Sequence, residues 1–313
     1  MTDDVVAAAR ETLGPVGAYL PFGFTSAPPA DLQRRVVRRL ESAGFRTAWS
    51  NEVVGGKDAL VQLAVLLAET EGMAFGTGIA NIWARQPQTM HAAAAFLAQA
   101  YPNRLVLGLG VGFPEQAASA RQEFGRPLAT MRDYLRRMDD QTWPPAADVT
   151  YPRIVGAMGP KLLALGGEHA DGAMPAGLPP AFTTQARQAL GRDKLLVVGL
   201  MVIPDRDVDH AKEVARQTVS ANLGRPSYAA TMAALGYSDG ELADVGDRTI
   251  DDVVGYGGPE EIGAKVREHL TAGADHVALM LPPSTELATG IEQLEWLAPT
   301  LAPIRGGTSA PSD

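Results

Sequence analysis

The chain has 313 residues, a formal net charge of −9, 46% hydrophobic and 20% charged residues, and no cysteine. An acidic balance of this size argues against nucleic-acid binding and against a basic membrane-surface footprint. The lack of cysteine excludes disulfides, zinc–thiolate and iron–sulfur centres, and a thiol nucleophile.

The amino terminus, MTDDVVAAARETLG, is acidic and amphipathic. It lacks the basic start and apolar middle of a secretion signal. No run of 18 apolar residues is free of charges or turn signals, so no membrane span is expected. A cytoplasmic protein is the expectation.

Strand-like and helix-like segments then alternate. Val16–Pro21 reads as a first strand and Asp31–Ala43 as a helix stopped by Gly44. Thr47–Asn51 is a second strand, followed by a helix over Asp58–Thr70. The apolar run Met73–Ile82, with Gly76 and Gly78, is the third strand and Gln88–Ala100 its crossover helix. Arg104–Val111, broken by Gly108 and Gly110 and followed by Gly112, is the fourth strand. Two buried strands joined by a helix form a βαβ unit with parallel neighbours. Glycine at their carboxyl ends lets a backbone or ligand approach closely.

A longer excursion with a helix near Leu128–Asp139 leads to a fifth strand at Arg153–Ala157 and a helix over Pro160–His169. Gly172–Ala176 and Leu195–Ile203 are the sixth and seventh strands, separated by a helix over Pro180–Leu190. A helical region from Val208 runs through an insertion to Val254, and Pro259–Ala272 is a helix opened by Gly258. His276–Leu281 is the eighth strand and Leu287–Leu301 the closing helix. The polar tail Arg305–Asp313 is expected to be disordered. Eight strand–helix repeats fit one (β/α)8 barrel over residues 1–304, with insertions after strands four and seven. A doubly wound sheet is the runner-up. Neither glycine cluster has the G-x-G-x-x-G spacing that such a nucleotide-binding fold would carry.

The five histidines show no metal-ligand spacing, and neither a G-x-S-x-G elbow nor a P-loop occurs. A triad hydrolase is disfavoured, and the chemistry is expected from a bound cofactor. Functional residues should lie at the carboxyl ends of strands. Glu52 and Asn51 follow the second strand there. Glu52 would serve as a general acid if burial raised its pKa, and otherwise bridges loops. Asn51 offers a hydrogen bond to a ring or substrate. Trp49 suits barrel core or ring stacking, and Arg85 an anion or a structural ion pair.

Five blocks, in order, resemble the bacterial-luciferase-like flavin and deazaflavin oxidoreductases, in particular the branch that uses coenzyme F420. They are AGFRTAWSNEVVGGKDAL, GTGIANIWARQP, NRLVLGLGVG, GPKLLALGGEHADGAMP and GGPEEIGAKVREHLTAGADHVALML. The resemblance implies a (β/α)8 barrel holding F420, or alternatively FMN, at its carboxyl face. In the family the third strand ends in a bulge, often with a non-proline cis peptide, matching Gly78-Ile79. Gly78, Ile79, Ala80 and Asn81 would support the ring, and Gly110, Val111 and Gly112 would line it. Gly159, Pro160 and Lys161 would hold the cofactor phosphates at a helix amino terminus. Many members carry a histidine just after the second strand, where this chain has Val53. The implied activity is hydride transfer between F420 and a small organic substrate. An FMN-dependent monooxygenase and a non-catalytic cofactor-binding barrel are the alternatives. A homodimer is also implied by the resemblance.

Overall fold

The computed structural model describes residues 2–22 and 27–304; the tail expected over 305–313 lies outside the described residues. Helix α1 (Thr2–Leu13) precedes β1 (Val16–Tyr19), α2 (Ala30–Ser42), β2 (Thr47–Ser50) and α3 (Ala59–Glu69). Next come β3 (Ala74–Thr77), β4 (Ala80–Asn81), α4 (Pro87–Ala100), β5 (Leu105–Gly110), α5 (Pro114–Ser119) and α6 (Pro127–Met138). β6 (Arg153–Gly156), α7 (Pro160–His169), β7 (Gly172–Met174), α8 (Pro180–Leu190) and β8 (Leu195–Pro204) follow. The insertion after β8 holds α9 (Val208–Leu223), α10 (Pro226–Ala234), α11 (Asp239–Asp244), α12 (Asp247–Val253) and β9 (Val254–Gly257). α13 (Pro259–Thr271), β10 (His276–Met280) and α14 (Leu287–Leu301) complete the chain.

All strand pairs are parallel. The ring runs β10-β1-β2-β3-β5-β6-β7-β8 and closes through β8 and β10, with Val198 opposite Val277. This is the closed eight-stranded (β/α)8 barrel. The strands are short and buried on both faces, which explains their near-continuous apolar runs. One set of side chains fills the barrel interior: Tyr19, Trp49, Ala74, Val106, Ile154, Met174, Val197 and Ala278. Val6, Ala9 and Leu13 of α1 join that set, so the amino-terminal helix plugs the barrel floor. There the fully buried His276 accepts a hydrogen bond from Trp49 Nε1 at 2.9 Å, and its Nδ1 lies 2.6 Å from the Gly14 carbonyl. Trp49 is therefore core, with 0% exposure.

The segmentation differs from the sequence reading at three places. The run expected as one strand over 73–82 breaks at a cis Gly78–Ile79 peptide into β3 and β4, and β4 pairs with β5 through Ala80 and Leu109. A short helix, α5, stands in the excursion after the fourth barrel strand. Val254–Gly257, on the border of the expected helical insertion, is a strand. β8 is ten residues long and outruns its barrel neighbours, so its carboxyl half has a free edge that β9 pairs from Met201 to Pro204. Two glycines in four residues hid that strand.

Candidate active site at the carboxyl rim

β2 delivers Ser50, Asn51 and Glu52 to the rim. The Glu52 carboxylate is buried, with 1% side-chain exposure, and both of its oxygens are occupied. It accepts from the Ala59 amide at 2.8 Å, from the Asn81 amide at 2.8 Å, and from both terminal nitrogens of Arg85 at 2.9 and 2.5 Å. Arg85 also meets Asp58 at 2.5 Å, and Asp58 caps α3 by accepting from the Val61 amide. Burial works against the Arg85 charge, but the hydrogen bonds it donates to Glu52 and Asp58 prevail and raise its pKa. A forked guanidinium against a carboxylate is the strong form of such a pair.

This arrangement is the loop bridge named as the alternative role of Glu52. Its acceptor capacity is taken by four donors, so it ties the loop after β2 to the segment after β4. Of the two readings of Arg85, the structure realises the ion pair. The same seam carries backbone bonds from Gly78 N–H to the Ser50 carbonyl at 2.7 Å and from Glu52 N–H to the Ile79 carbonyl at 3.1 Å.

The glycine block is packed by its own neighbours. A Cβ on Gly110 would stand 2.5 Å from Ile79 Cγ1, and one on Gly156 would stand 3.1 Å from Ile79 Cγ2. The small residues ending β5 and β6 thus make room for the Ile79 side chain, which lies across them. Asn81 is fully buried; its Nδ2 donates to Gln116 Oε1 at 2.9 Å and its Oδ1 accepts from the Trp83 amide at 3.0 Å. Gly112 has φ +56°, and a Cβ there would overlap Gln116 and Asn81. Val111 offers its carbonyl to Trp83 Nε1 at 2.7 Å, and Ala80 is fully buried. The side chain of Asn81 is therefore committed to the protein itself, and Ile79 supplies the apolar surface here.

Gly159, Pro160 and Lys161 begin α7 at the end of β6, the strand next to β5. They lie on the same rim as Gly110. Nothing approaches within 4 Å of a Cβ built on Gly159, and Lys161 is exposed. The first turn of a helix leaves amide donors without intrahelical acceptors.

Asn51 behaves differently from Glu52. It is 5% exposed and lines a cleft between the ends of β1, β2 and β10, shared with Tyr19, Phe22, Met280 and Leu281. Tyr19, which the sequence reading did not single out, is buried in the top of the barrel interior beside Gly78. Burial raises its phenol pKa. Lys57 was missed as well. Its ammonium is buried, has no hydrogen-bond partner among the described residues, and lies 5.6 Å from the centre of the Phe22 ring. Burial lowers its pKa to about 8, with the Glu52 charge opposing. Its place beside the glycine turn at Gly55-Gly56 was the only local signal. Val53, at the family's histidine position, is half-buried.

Among the described residues no group of acidic and histidine side chains is arranged to hold a metal ion, and no helix is long and apolar enough to cross a membrane.

Comparison with known proteins agrees with this architecture. A putative coenzyme F420-dependent oxidoreductase of Mycobacterium tuberculosis is 29% identical, covering 50% of this chain and 54% of that protein. The chain thus spans about half the length of that relative. A 5,10-methylenetetrahydromethanopterin reductase of Methanolobus tindarius is 25% identical over 84% of this chain and 94% of its own length. Among solved structures, an F420-dependent secondary alcohol dehydrogenase in complex with an F420–acetone adduct superposes with a TM-score of 0.70 at 16% identity. It covers 92% of this chain and 99% of that one, which is a likeness of fold. The family profile described as luciferase-like monooxygenase matches residues 15–276, and the chain belongs to that family.

Proposed function

We propose that this protein is an F420-dependent oxidoreductase that transfers hydride between the deazaflavin and a small organic substrate. The observation that carries the reading is the relative named for F420, aligned over half of the chain. The rim described above fits such a group. Ile79, laid over Gly110 and Gly156, is a flat apolar floor of the kind a planar ring requires. The open first turn of α7 with Lys161 suits an anionic tail.

Gly78, Ile79 and Ala80 would carry the ring, with Asn81 fixing them through Glu52 and Gln116, and Gly110, Val111 and Gly112 would form the adjoining wall. Gly159, Pro160 and Lys161 would hold phosphate. When bound, F420 supplies or accepts the hydride at its deazaflavin C5. The protein's own part is orientation and exclusion of water. The Glu52–Arg85–Asp58 clamp keeps the loop after β2 and the Ile79 floor in register, and Asn51 faces the substrate side. The family description as monooxygenases supports a second reading, in which FMN replaces F420 and oxygen is activated.

Titration of the purified protein with F420 and with FMN separates these readings, followed by a hydride-transfer assay. Micromolar binding of F420 without FMN binding is expected. FMN binding alone, with oxygen-dependent turnover, would move the protein to the monooxygenase reading. Failure to bind either removes both enzyme readings and leaves a barrel with another ligand.

A further inference from the structure

The cleft between the ends of β1, β2 and β10 has a composition that specifies its occupant. Its walls are the apolar side chains of Phe22, Met280, Leu281 and the neighbouring prolines, and Thr285 stands at its edge. Two polar side chains reach it from the barrel. Asn51 is 5% and Tyr19 8% exposed, and both line the cleft. Polar groups taken out of water need hydrogen-bond partners, so an amide and a hydroxyl lining an apolar cleft offer a place for a ligand's polar atom. Tyr19 Oη lies 2.6 Å from the position a Cβ on Gly78 would take, which places the hydroxyl against the backbone at the end of β3.

Among the described residues no charged side chain lines the cleft. Lys57, on the loop after β2, stands over the ring of Phe22, which is itself part of the wall. The carboxylate of Glu52, next in sequence to Asn51, is saturated by its four donors. The lining itself therefore offers no counter-charge to an ionised ligand group.

We infer that this cleft is the substrate pocket, that it takes an uncharged, largely apolar molecule bearing one carbonyl or hydroxyl oxygen, and that Tyr19 and Asn51 together hold that oxygen. The inference rests on the hydride-transfer reading for its chemistry. It concerns binding and orientation, and assigns no proton transfer to either residue. Because burial raises the Tyr19 pKa, the phenol stays a hydrogen-bond donor at neutral pH. The Asn51 amide can serve as a second donor.

The test uses the protein loaded with F420, with cyclohexanone as the probe and cyclohexanecarboxylate as its charged counterpart. Binding is read by ligand-observed saturation-transfer NMR, and F420 affinity separately by fluorescence. Cyclohexanone is expected to bind and the carboxylate not to. Tyr19→Phe and Asn51→Ala should each weaken cyclohexanone binding by up to about tenfold, the effect of one lost hydrogen bond, with F420 affinity within twofold of the parent. Leu281→Trp, which fills the pocket without removing a polar group, should abolish probe binding in a protein that still binds F420. Absence of F420 binding by the parent protein refutes the cofactor reading by itself. With F420 bound, the pocket assignment alone is overturned by any of three results: cyclohexanone fails to bind, binds equally to the three variants, or binds less well than the carboxylate. It is equally overturned if Tyr19→Phe costs tenfold in F420 affinity.

Discussion

Replacing Arg85 with methionine tests the clamp directly. The substitution keeps most of the side-chain bulk and removes both bonds to Glu52 and the contact with Asp58. Glu52 would then be a carboxylate of 1% exposure holding only the Ala59 and Asn81 amides. Removing one member of a buried ion pair costs about 3–5 kcal/mol, since the other charge is left uncompensated. Asp58 adds little, because its side chain is 45% exposed and screened by water. For a chain of this size such a loss lowers Tm by roughly 5–8 °C. Arg85→Lys retains charge without the planar fork and should fall about midway between the methionine variant and the parent. Glu52→Gln keeps Arg85 paired to Asp58 and should cost less than Arg85→Met. Urea unfolding followed by circular dichroism, with F420 titration of each variant, measures all three. A loss under about 1 kcal/mol for Arg85→Met would refute the clamp. So would a Glu52→Gln variant that is as stable as the parent yet devoid of turnover, because that pattern belongs to a general acid.

The remaining expectations concern the floor, the barrel base and the outer surface. Gly110→Ala should destabilise by about 1–3 kcal/mol by driving a methyl into Ile79, and Ile79→Ala in the same chain should relieve part of that cost. Simple addition of the two losses would show that they do not share the space. His276 has its pKa lowered to about 4 by burial. A histidine whose folded pKa lies below its unfolded value near 6.5 contributes stability that is present above pH 6.5 and lost as pH falls toward 4. The loss amounts to at most about 3 kcal/mol. His276→Gln should flatten the parent's stability profile between pH 6.5 and 4, and an unchanged slope would contradict this. Val61 on α3 and Phe96 on α4 are 64% and 66% exposed on helices with no charged residue other than Glu69. We expect that face to meet a second copy of the chain, so that sedimentation gives a dimer which Val61→Glu with Phe96→Glu converts to monomer. A monomeric parent at micromolar concentration would rule that out.

Much of the architecture was legible in the sequence because the signals are local. Most strands of the ring coincide with an apolar run bounded by glycine, proline or a capping residue, and several crossover helices carry their own stops. The family blocks located the rim, and the cis peptide stands at Gly78–Ile79, where the family resemblance put it. The strand-end positions of the candidate residues were legible, but the partners of their side chains were not. Glu52 and Asn51 are neighbours in sequence at the end of one strand. One is drawn into a clamp by an arginine 33 residues away, while the other is left lining a cleft.

By itself, then, the sequence determined a parallel barrel, the rim on which chemistry can occur, and the glycines that crowd it. Those properties follow from hydrophobic periodicity and backbone sterics, which act within a few residues of each other. Only the tertiary structure decided what fills the room the glycines leave, which carboxylate is already paired, and that Tyr19 shares a cleft with Asn51. Such outcomes depend on loops from separate strands meeting at the rim. There, desolvation penalises each polar group that is left without a partner.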